Sequence, residues 1–347
     1  MSTRPGAAAS AEGRATARAL RTFVVPSFTF ESGEVLHDLR QAYHLDGTLN
    51  AARDNLVVVF HALTGTPDAA GDWWKHLIGP GLALDTDRYA VLVPNLLGSC
   101  YGTSGPSVHP DERFPRVTPR DQARFAAHLV DALGVHDVAL VTGGSLGGMV
   151  ALEWTAQCAG RTRTTVVLAA PAAHTAHAIA WNAVQRAVLD AAGDAGLAVA
   201  RQISMIAFRS EREFEARFGR TRHSDGRFNV ESYLAHQGRK LEARFDATSY
   251  RLLLDAMDAH DLGRGRGGVA HALRGLQGHI YAVGVPGDQL YSADVVRQWA
   301  ELAGAEYREL TSHFGHDAFL LEHEQVGAIL HEALQRASRA DTQRDVA

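Results

Sequence analysis

Short apolar runs alternate with longer amphipathic segments along most of this chain. The apolar runs, each of which predicts a strand, are residues 23–28, 39–45, 55–62, 89–98, 136–144, 163–171, 279–287 and 306–310. Several of them are apolar at nearly every position, which is typical of strands buried on both faces. Because these strands alternate with helical segments, the pattern predicts a mostly parallel sheet with helices covering both faces.

The clearest helix signal lies in residues 118–134. Thr118 is a good N-cap, Pro119 suits the first turn, and Asp121 completes a capping box three residues after the cap. Gly134 marks the end of the segment. We therefore expect a well-defined helix between two strands of the sheet.

A long helical block interrupts the alternation. From about residue 174 to residue 260, helical segments follow one another and no run predicts a strand. A linker rich in Gly and Arg comes next, and the alternation resumes near residue 279. The pattern predicts one α/β domain with an inserted helical cap. The predicted parts are a disordered leader (1–21), the first part of the core (22–173), the cap with its linker (174–276) and the second part of the core (277–347).

Composition and charge exclude several classes of protein. The chain has 347 residues, 46% of them hydrophobic, and a net charge of −5 without blocks of like charge, so nothing favours nucleic acid or an anionic membrane as a partner. The apolar runs are far shorter than the ~20 residues of a membrane span. The leader lacks the apolar segment of a secretory signal. Cys100 and Cys158 form neither a metal-ligand spacing nor a disulfide framework, so we expect a cytoplasmic protein.

The segment Gly143–Gly147 is a G-x-S-x-G motif at the point where a buried strand meets a helix. In that setting the motif predicts a nucleophile elbow, a strained turn that exposes the hydroxyl of Ser145. The flanking glycines remove the Cβ atoms that would collide with the strand or the helix. The alternative interpretation is a glycine-rich turn with a capping serine.

A serine nucleophile needs a base, and the base needs an orienting acid. Asp288 follows the strand after the helical block, and His316 follows the last strand, so both are expected at the same edge of the sheet as Ser145. His313 competes with His316 on spacing alone, and His323 lies further into the final helix. Asp288 could instead be a turn-forming residue, since Pro-Gly-Asp favours turns.

The oxyanion of such a reaction needs two backbone N–H donors. The first is expected from Leu146, the residue after the nucleophile. The second is expected from the loop after an earlier strand, where residues 61–65 read HALTG and Leu63 is the candidate donor. The alternative is that this loop only connects a strand to the next element.

These motifs are part of a longer series that spans about residues 47–320. In chain order the series is GTLN, HALTG, WW followed by LIGPG, DTDRY, CYG with SGP, GGSLGGMVALEW, AIAWNAVQ, FRS, FGR, VESYLAHQG, RFDATSY, HDL and GHDAFL. It resembles the homoserine O-acetyltransferase family of amino-acid O-acyltransferases. The resemblance implies the α/β-hydrolase fold with an inserted all-helical cap, or lid, domain.

The resemblance also implies roles for individual residues. It places the nucleophile, acid and base on Ser145, Asp288 and His316, and its GHDAF frame favours His316 over His313. It implies that Arg209 in FRS holds the carboxylate of an amino acid and that Asp317 holds its ammonium group. It places Tyr233 and Asn50 along the substrate tunnel. Taken on their residues alone, Arg209 is one charge on a solvated helix and Asp317 a first-turn acid.

The resemblance implies a ping-pong transfer of the acetyl group of acetyl-CoA to the side-chain hydroxyl of L-homoserine, a step of methionine biosynthesis. Acetyl-CoA is then a co-substrate, no bound cofactor or metal is expected, and a homodimer formed through the cap helices is implied. Departures from the family pattern at His44, at Leu146 and in GTSGP leave the substrates open. L-serine or another alcohol as acceptor, and a succinyl donor, are the alternatives within the family.

Two other classes of function remain open. A serine esterase or thioesterase would use the same triad with a wetter tunnel. A binding module without catalysis is disfavoured because all three triad residues are present.

Overall fold

The computed structural model describes residues 18–108 and 114–344. Residues 1–17 of the predicted leader therefore lie outside the described residues, whereas its last residue, Arg21, already begins the first strand.

A mixed sheet of eight strands forms the centre of the molecule, in the order β1-β2-β6-β3-β7-β8-β9-β10. Its strands are β1 (Arg21–Thr29), β2 (Val35–Asp46), β3 (Leu56–Phe60), β6 (Ala90–Pro94), β7 (Val138–Gly144), β8 (Thr162–Leu168), β9 (His279–Gly284) and β10 (Glu306–Glu309). Strands β1 and β2 run antiparallel to their neighbours, and the other six are parallel. A short parallel pair, β4 (Ile78–Gly79) and β5 (Leu84–Asp85), lies apart from this sheet. The predicted α/β fold with a mostly parallel sheet is confirmed.

Helices pack around the sheet and follow its strands along the chain. They are α1 (Pro119–Ala132), α2 (Leu146–Gln157), α3 (Ala176–Ala192), α4 (Gly196–Phe208), α5 (Glu211–Arg217), α6 (Asn229–Glu242), α7 (Ala247–Asp258), α8 (Val269–Arg274), α9 (Ala293–Ala303), α10 (Ala318–Leu321) and α11 (His323–Arg344). Two 3₁₀ turns, Gly193–Ala195 and Gly315–Asp317, complete the helical elements of the described residues.

Strand β3 shows why an uninterrupted apolar run is needed at the centre. All five of its residues are buried. Leu56, Val58 and Phe60 join a cluster that contains residues of α1 and α2, whereas Val57 and Val59 join a second cluster with residues of α11. Because side chains alternate between the faces of a strand, both faces must be apolar when helices cover both.

Helix α1 begins as the sequence predicts. The Thr118 hydroxyl accepts a hydrogen bond from the Asp121 N–H at 3.2 Å, and the Asp121 carboxylate accepts one from the Thr118 N–H at 3.1 Å. Gly134 follows the helix with φ 69°, a conformation that glycine adopts without strain. The predicted capping box is confirmed.

The helical block is inserted between two neighbouring strands. Strands β8 and β9 pair directly in parallel, yet more than one hundred residues separate them along the chain. The helices α3 to α8 all lie in that interval. Side chains from α4 and from the segment after α6 reach a cavity that also contains residues from the carboxyl ends of the core strands. We call the helices α3 to α7 the cap.

Candidate active site

Ser145 stands in a sharp turn between β7 and α2. Its backbone has φ 57° and ψ −124°, a region that residues other than glycine occupy only under strain. A Cβ atom on Gly147 would lie 2.1 Å from the Phe60 carbonyl oxygen, and one on Gly143 would lie 2.4 Å from the Gly147 oxygen. The glycines are therefore required because helix α2 approaches the neighbouring strand β3 too closely for a side chain.

Asp288 and His316 meet at the same edge of the sheet. Asp288 follows β9, and His316 lies in the 3₁₀ turn after β10. The Asp288 Oδ2 atom is 2.7 Å from His316 Nδ1. The other carboxylate oxygen accepts hydrogen bonds from the N–H groups of Leu290 at 2.8 Å and Tyr291 at 2.9 Å. The acid is thereby fixed on both oxygens and orients the imidazole.

The second ring nitrogen of His316 is available for catalysis. His316 Nε2 is buried and has no hydrogen-bond partner among the described residues. His316 and Ser145 line the same cavity and are only 2% and 4% exposed. Burial opposes protonation of the ring, but the charge and hydrogen bond of Asp288, with the charge of Asp317, raise the pKa of His316 above its ordinary value. This is the arrangement of a base that a carboxylate polarises.

The competing histidines lie elsewhere. His313 is exposed, and its ring packs on Phe314 with centroids 4.1 Å apart. His323 begins α11, with its ring beside that of His76. Neither lines the cavity that contains Ser145. Of the three histidines, the structure therefore places only His316 at the same cavity as Ser145.

The cavity is small, about 150 Å³, and lies between the core and the cap. Its lining consists of Ala62, Leu63, Thr64, Gly65, Asp72, Trp73, Ser145, Arg201, Phe208, Arg244, His316, Asp317, Phe319 and Leu320. Larger clefts at the surface do not contain the triad. Because the reacting groups decide where chemistry occurs, we take the small cavity as the candidate site.

The two predicted oxyanion donors, Leu146 and Leu63, lie at the start of α2 and in a loop that lines the cavity. Leu146 is the first residue of α2, and first-turn N–H groups have no partner within their own helix. Leu63 lines the cavity within a tight turn that the Gly65 N–H closes by donating to the Ala62 carbonyl at 2.9 Å. Buried His61 lies under this turn, and burial lowers its pKa to about 4, so its ring is neutral at pH 7.

The four residues predicted to bind substrate are not all at the cavity. Asp317 lines it, and Arg209 lies behind Asp317, with Nε 2.8 Å from Asp317 Oδ2 and Nη1 3.2 Å from Glu213 Oε1. Tyr233 packs on Phe218, with ring centroids 5.0 Å apart, and does not line the cavity.

The structure does not bring Asn50 to this site. Its side chain is exposed and forms hydrogen bonds with Asp54, where the chain leads from β2 to the amino end of β3. The cavity lies at the opposite, carboxyl ends of the parallel strands.

Sequence reasoning missed Arg201. This residue lies on α4 and lines the cavity together with Ser145, and it has no hydrogen bond or ion pair within the described part of the chain. Burial lowers the pKa of Arg201, and the charge of Asp317 opposes that shift. Its sequence signal is a single arginine within a strongly apolar helix, residues 196–208. A half-buried guanidinium without a carboxylate partner among the described residues is suited to binding an anionic group of a ligand.

The described residues contain neither a metal-binding cluster nor a membrane-spanning helix. Residues 18–108 and 114–344 contain no group of three His, Cys, Asp or Glu side chains placed to hold a metal ion. No helix within these ranges has the length and apolar character needed to cross a bilayer.

Comparisons with known proteins agree with this geometry. Residues 55–323 match the model of the alpha/beta hydrolase fold family, and the L374D mutant of esterase E22 superimposes with a TM-score of 0.84 at 19% identity, covering 91% of this chain and 99% of that chain. The sheet, the elbow at Ser145 and the family match thus define an α/β-hydrolase-fold protein.

Closer relatives define the family. The curated homoserine O-acetyltransferase of Thermobifida fusca is 44% identical over 88% of this chain and 90% of that protein. That of Thermus thermophilus is also 44% identical, over 87% and 88% of the two chains. The crystal structure of homoserine O-acetyltransferase from Staphylococcus aureus has a TM-score of 0.80 at 32% identity over 91% of this chain and 95% of that one. The chain belongs to the homoserine O-acetyltransferase family.

Proposed function

We propose that this chain transfers the acetyl group of acetyl-CoA to the side-chain hydroxyl of L-homoserine through an acetyl-Ser145 intermediate. One observation carries the proposal. The cavity that contains Ser145 and His316 also contains the guanidinium of Arg201, which forms no ion pair with any described residue, and a carboxylate, Asp317. A simple esterase needs only the first two groups, whereas an enzyme that acts on a zwitterionic amino acid needs both charges as well.

The first half-reaction loads Ser145. His316 Nε2 accepts the proton of the Ser145 hydroxyl as its oxygen attacks the thioester carbonyl. The resulting oxyanion is stabilised by the N–H groups of Leu63 and Leu146. When the tetrahedral intermediate collapses, the C–S bond breaks, the CoA thiol leaves with the proton held by His316, and the acetyl group stays on Ser145 oxygen.

The second half-reaction repeats this chemistry with a new nucleophile. The hydroxyl of the acceptor gives its proton to His316 and attacks the acetyl carbon, and the same two N–H groups bind the oxyanion. The Ser145 oxygen then leaves and regains the proton from His316. Water would compete with the acceptor, so the small cavity under the cap favours transfer over hydrolysis.

The acceptor is held by its two charged ends. We assign the carboxylate to Arg201, which has the Phe208 ring beside it but no hydrogen bond or ion pair among the described residues, and the ammonium group to Asp317. The family resemblance instead implies that Arg209 holds the carboxylate. That guanidinium already contacts Asp317 and Glu213, so Arg209 is better suited to orient Asp317 from behind. Tyr233 packs on Phe218 and has the Arg217 guanidinium over its ring, 4.6 Å from the centroid, so we assign it no substrate contact.

L-Serine as acceptor and a succinyl donor are the alternatives within the family, and hydrolysis is the alternative outside it. Serine is one methylene shorter than homoserine. If Arg201 and Asp317 fix the amino-acid end, that methylene decides whether the hydroxyl reaches the acetyl carbon. Loss of a methylene contact discriminates between the two acceptors by only about 1–3 kcal/mol. Any larger preference for homoserine must come from misplacement of the shorter serine hydroxyl relative to the acetyl carbon.

The homodimer and the cytoplasmic location also remain proposals. Four apolar side chains of cap helices α3 and α4 are exposed: Ile179, Val184, Val199 and Ile206. A second copy packing on these helices would cover them. The cytoplasm is supported by Cys100 and Cys158, which are both free thiols in the structure.

A panel of acceptors tests the proposed transfer of the acetyl group to homoserine. Release of the CoA thiol from acetyl-CoA is followed with L-homoserine, L-serine or water as the acceptor, and the acetylated product is identified by mass. We expect thiol release to be fast only with homoserine. Equal rates with and without an amino acid would instead identify a thioesterase.

A further inference from the structure

The turn that carries the Leu63 N–H is held from outside by the cap. Within it, the Gly65 N–H donates to the Ala62 carbonyl at 2.9 Å. The carbonyl of the same Thr64–Gly65 peptide unit accepts a hydrogen bond from Arg244 Nη1 at 2.7 Å. One peptide unit is therefore fixed at both its N–H and its carbonyl. Since peptide units are rigid planes, this also limits the orientation of the preceding ones.

Arg244 is part of a three-residue contact between the cap and two core loops. It follows helix α6, and its Nη1 also donates to the Tyr101 hydroxyl at 2.6 Å. The next residue, Phe245, packs its ring on Tyr101 with centroids 6.2 Å apart. The Cys100 thiol donates to Asp246 at 3.1 Å. Residues 244–246 therefore connect the cap to the turn after β3 and to the loop after β6.

Arg244 forms no ion pair with any residue that the structure describes. Within residues 18–108 and 114–344, both of its hydrogen-bond acceptors are neutral, a carbonyl and a phenol. Burial raises the pKa of Tyr101, although the charge of Arg244 opposes that shift, so the phenol keeps its proton at neutral pH. An arginine held by neutral acceptors acts through the fixed geometry of its planar donors.

Tyr101 itself has φ 74°, an unusual conformation for a residue with a large side chain. Such strain persists only where surrounding contacts hold it. Arg244 supplies one of those contacts, and Phe245 supplies another.

We propose that Arg244 is a positioning residue for the oxyanion hole: the cap, through Arg244, fixes the turn that aims the Leu63 N–H at the reacting carbonyl. The proposal rests on the acyl-transfer function and on the oxyanion donors assigned above. Loss of one oxyanion donor costs about 10²–10³ in kcat in enzymes of this chemistry, and a ~1 Å displacement costs about a hundredfold. Both half-reactions pass through an oxyanion, so both must slow together.

Arg244 also lines the cavity, so direct binding of an anionic substrate group is the competing role. The two roles separate with a neutral acyl donor. p-Nitrophenyl acetate contains neither CoA nor an amino acid, yet its acylation of Ser145 needs the oxyanion hole. A residue that only binds an anion would not affect this reaction.

The experiment measures the burst of p-nitrophenolate, one equivalent per active site, for wild type, R244A, R244K and R239A. Arg239 is an exposed arginine on the same cap helix and is the matched control. We expect R244A to slow the burst about a hundredfold with little change in the KM for the ester, and R239A to behave as wild type. Added ethylguanidinium, which replaces the deleted part of the side chain, should raise the burst rate of R244A at least about tenfold. A wild-type burst in R244A, with lost turnover of acetyl-CoA, would overturn the proposal and assign Arg244 to anion binding.

If R244A folds poorly, R244K tests the positioning role of Arg244 instead. R244K keeps the charge and most of the packing but lacks the planar fork of donors. We expect a thermal unfolding midpoint near wild type and a burst about tenfold slower. A wild-type burst in R244K would show that charge and packing suffice, and would equally overturn the proposal. Because the burst needs no acceptor and no CoA, a negative acceptor panel leaves this test intact.

Discussion

Asp288 Oδ2 lies 2.7 Å from His316 Nδ1, while Nε2 of the same ring is buried at the cavity without a hydrogen-bond partner among the described residues. One nitrogen is thus committed to the carboxylate and the other is available to the serine. Since a polarised imidazole must begin each half-reaction unprotonated, this pair sets both the rate and the pH dependence of the proposed chemistry.

The position of this pair predicts that His316 is the only essential base of the two neighbouring candidates. H316A should reduce acetyl transfer by at least about 10³-fold, since loss of a triad member removes most of the catalytic effect. H313A should stay within about threefold of wild type, because the His313 ring is exposed and its backbone carbonyl, which accepts a hydrogen bond from Ser210, is kept in the variant. Steady-state rates at saturating substrates measure both variants. Loss of activity in H313A with activity retained in H316A would contradict the assignment.

The raised pKa of His316 predicts where activity is lost in acid. The base form disappears as pH falls through this pKa, so the acid limb of kcat/KM for acetyl-CoA should lie above the ordinary histidine value of about 6.5. D288N removes the charge that favours the imidazolium, so the limb should move to lower pH while kcat falls about 10⁴-fold. An acid limb that stays in place in D288N would mean that another group titrates.

Arg201 and Arg209 predict a separation of the two half-reactions. R201A should weaken the binding of homoserine by about 1.5–3 kcal/mol, the usual value of a hydrogen bond to a charged group. This corresponds to a loss of about 10- to 100-fold in kcat/KM for homoserine. Formation of acetyl-Ser145 from acetyl-CoA should stay within about threefold. R209A should show a smaller loss of the same kind because it acts through Asp317. Rapid-quench measurement of each half-reaction tests this, and equal damage to both by R201A would indicate a structural role.

The close approach of α2 to β3 predicts that Gly147 cannot be enlarged. G147A places a Cβ 2.1 Å from the backbone oxygen of Phe60, so we expect a loss of at least about 1–3 kcal/mol in the free energy of unfolding. Gly275 is the control because its added Cβ would meet nothing closer than 3.5 Å and its φ is −87°. Denaturant unfolding should place G275A within about 1 kcal/mol of wild type. Equal stability of G147A and wild type would show that the elbow tolerates a side chain.

Local signals explain why much of the fold and the triad could be predicted. The central strand β3 is apolar on both faces, the capping box of α1 involves residues three apart, and the motif around Ser145 stands at a strand–helix junction. Asp288 and His316 follow from chain order, since parallel strands end at one edge of the sheet. These features need no knowledge of long-range contacts.

The substrate side of the cavity could not be predicted in the same way. Arg201 is one residue in an apolar helix, and only the packing of the cap turns it toward Ser145. Arg209 and Asp317 were predicted as separate ligands, yet they contact each other across more than one hundred residues of sequence. Asn50 was predicted from a match to the family motif GTLN. The turn that contains it lies at the amino end of β3, whereas the cavity lies at the carboxyl ends of the parallel strands. Long-range packing decides each of these positions.

The most direct test of the account is the fate of the acetyl group on Ser145. The enzyme is mixed with acetyl-CoA alone, quenched, digested and examined by mass spectrometry, and a second sample receives L-homoserine before the quench. The account predicts one added acetyl group on the peptide that contains Ser145, its rapid loss when homoserine is added, and slower loss with L-serine or water. No acetyl group on Ser145 while turnover continues would contradict the covalent mechanism, and faster discharge by serine than by homoserine would contradict the proposed acceptor.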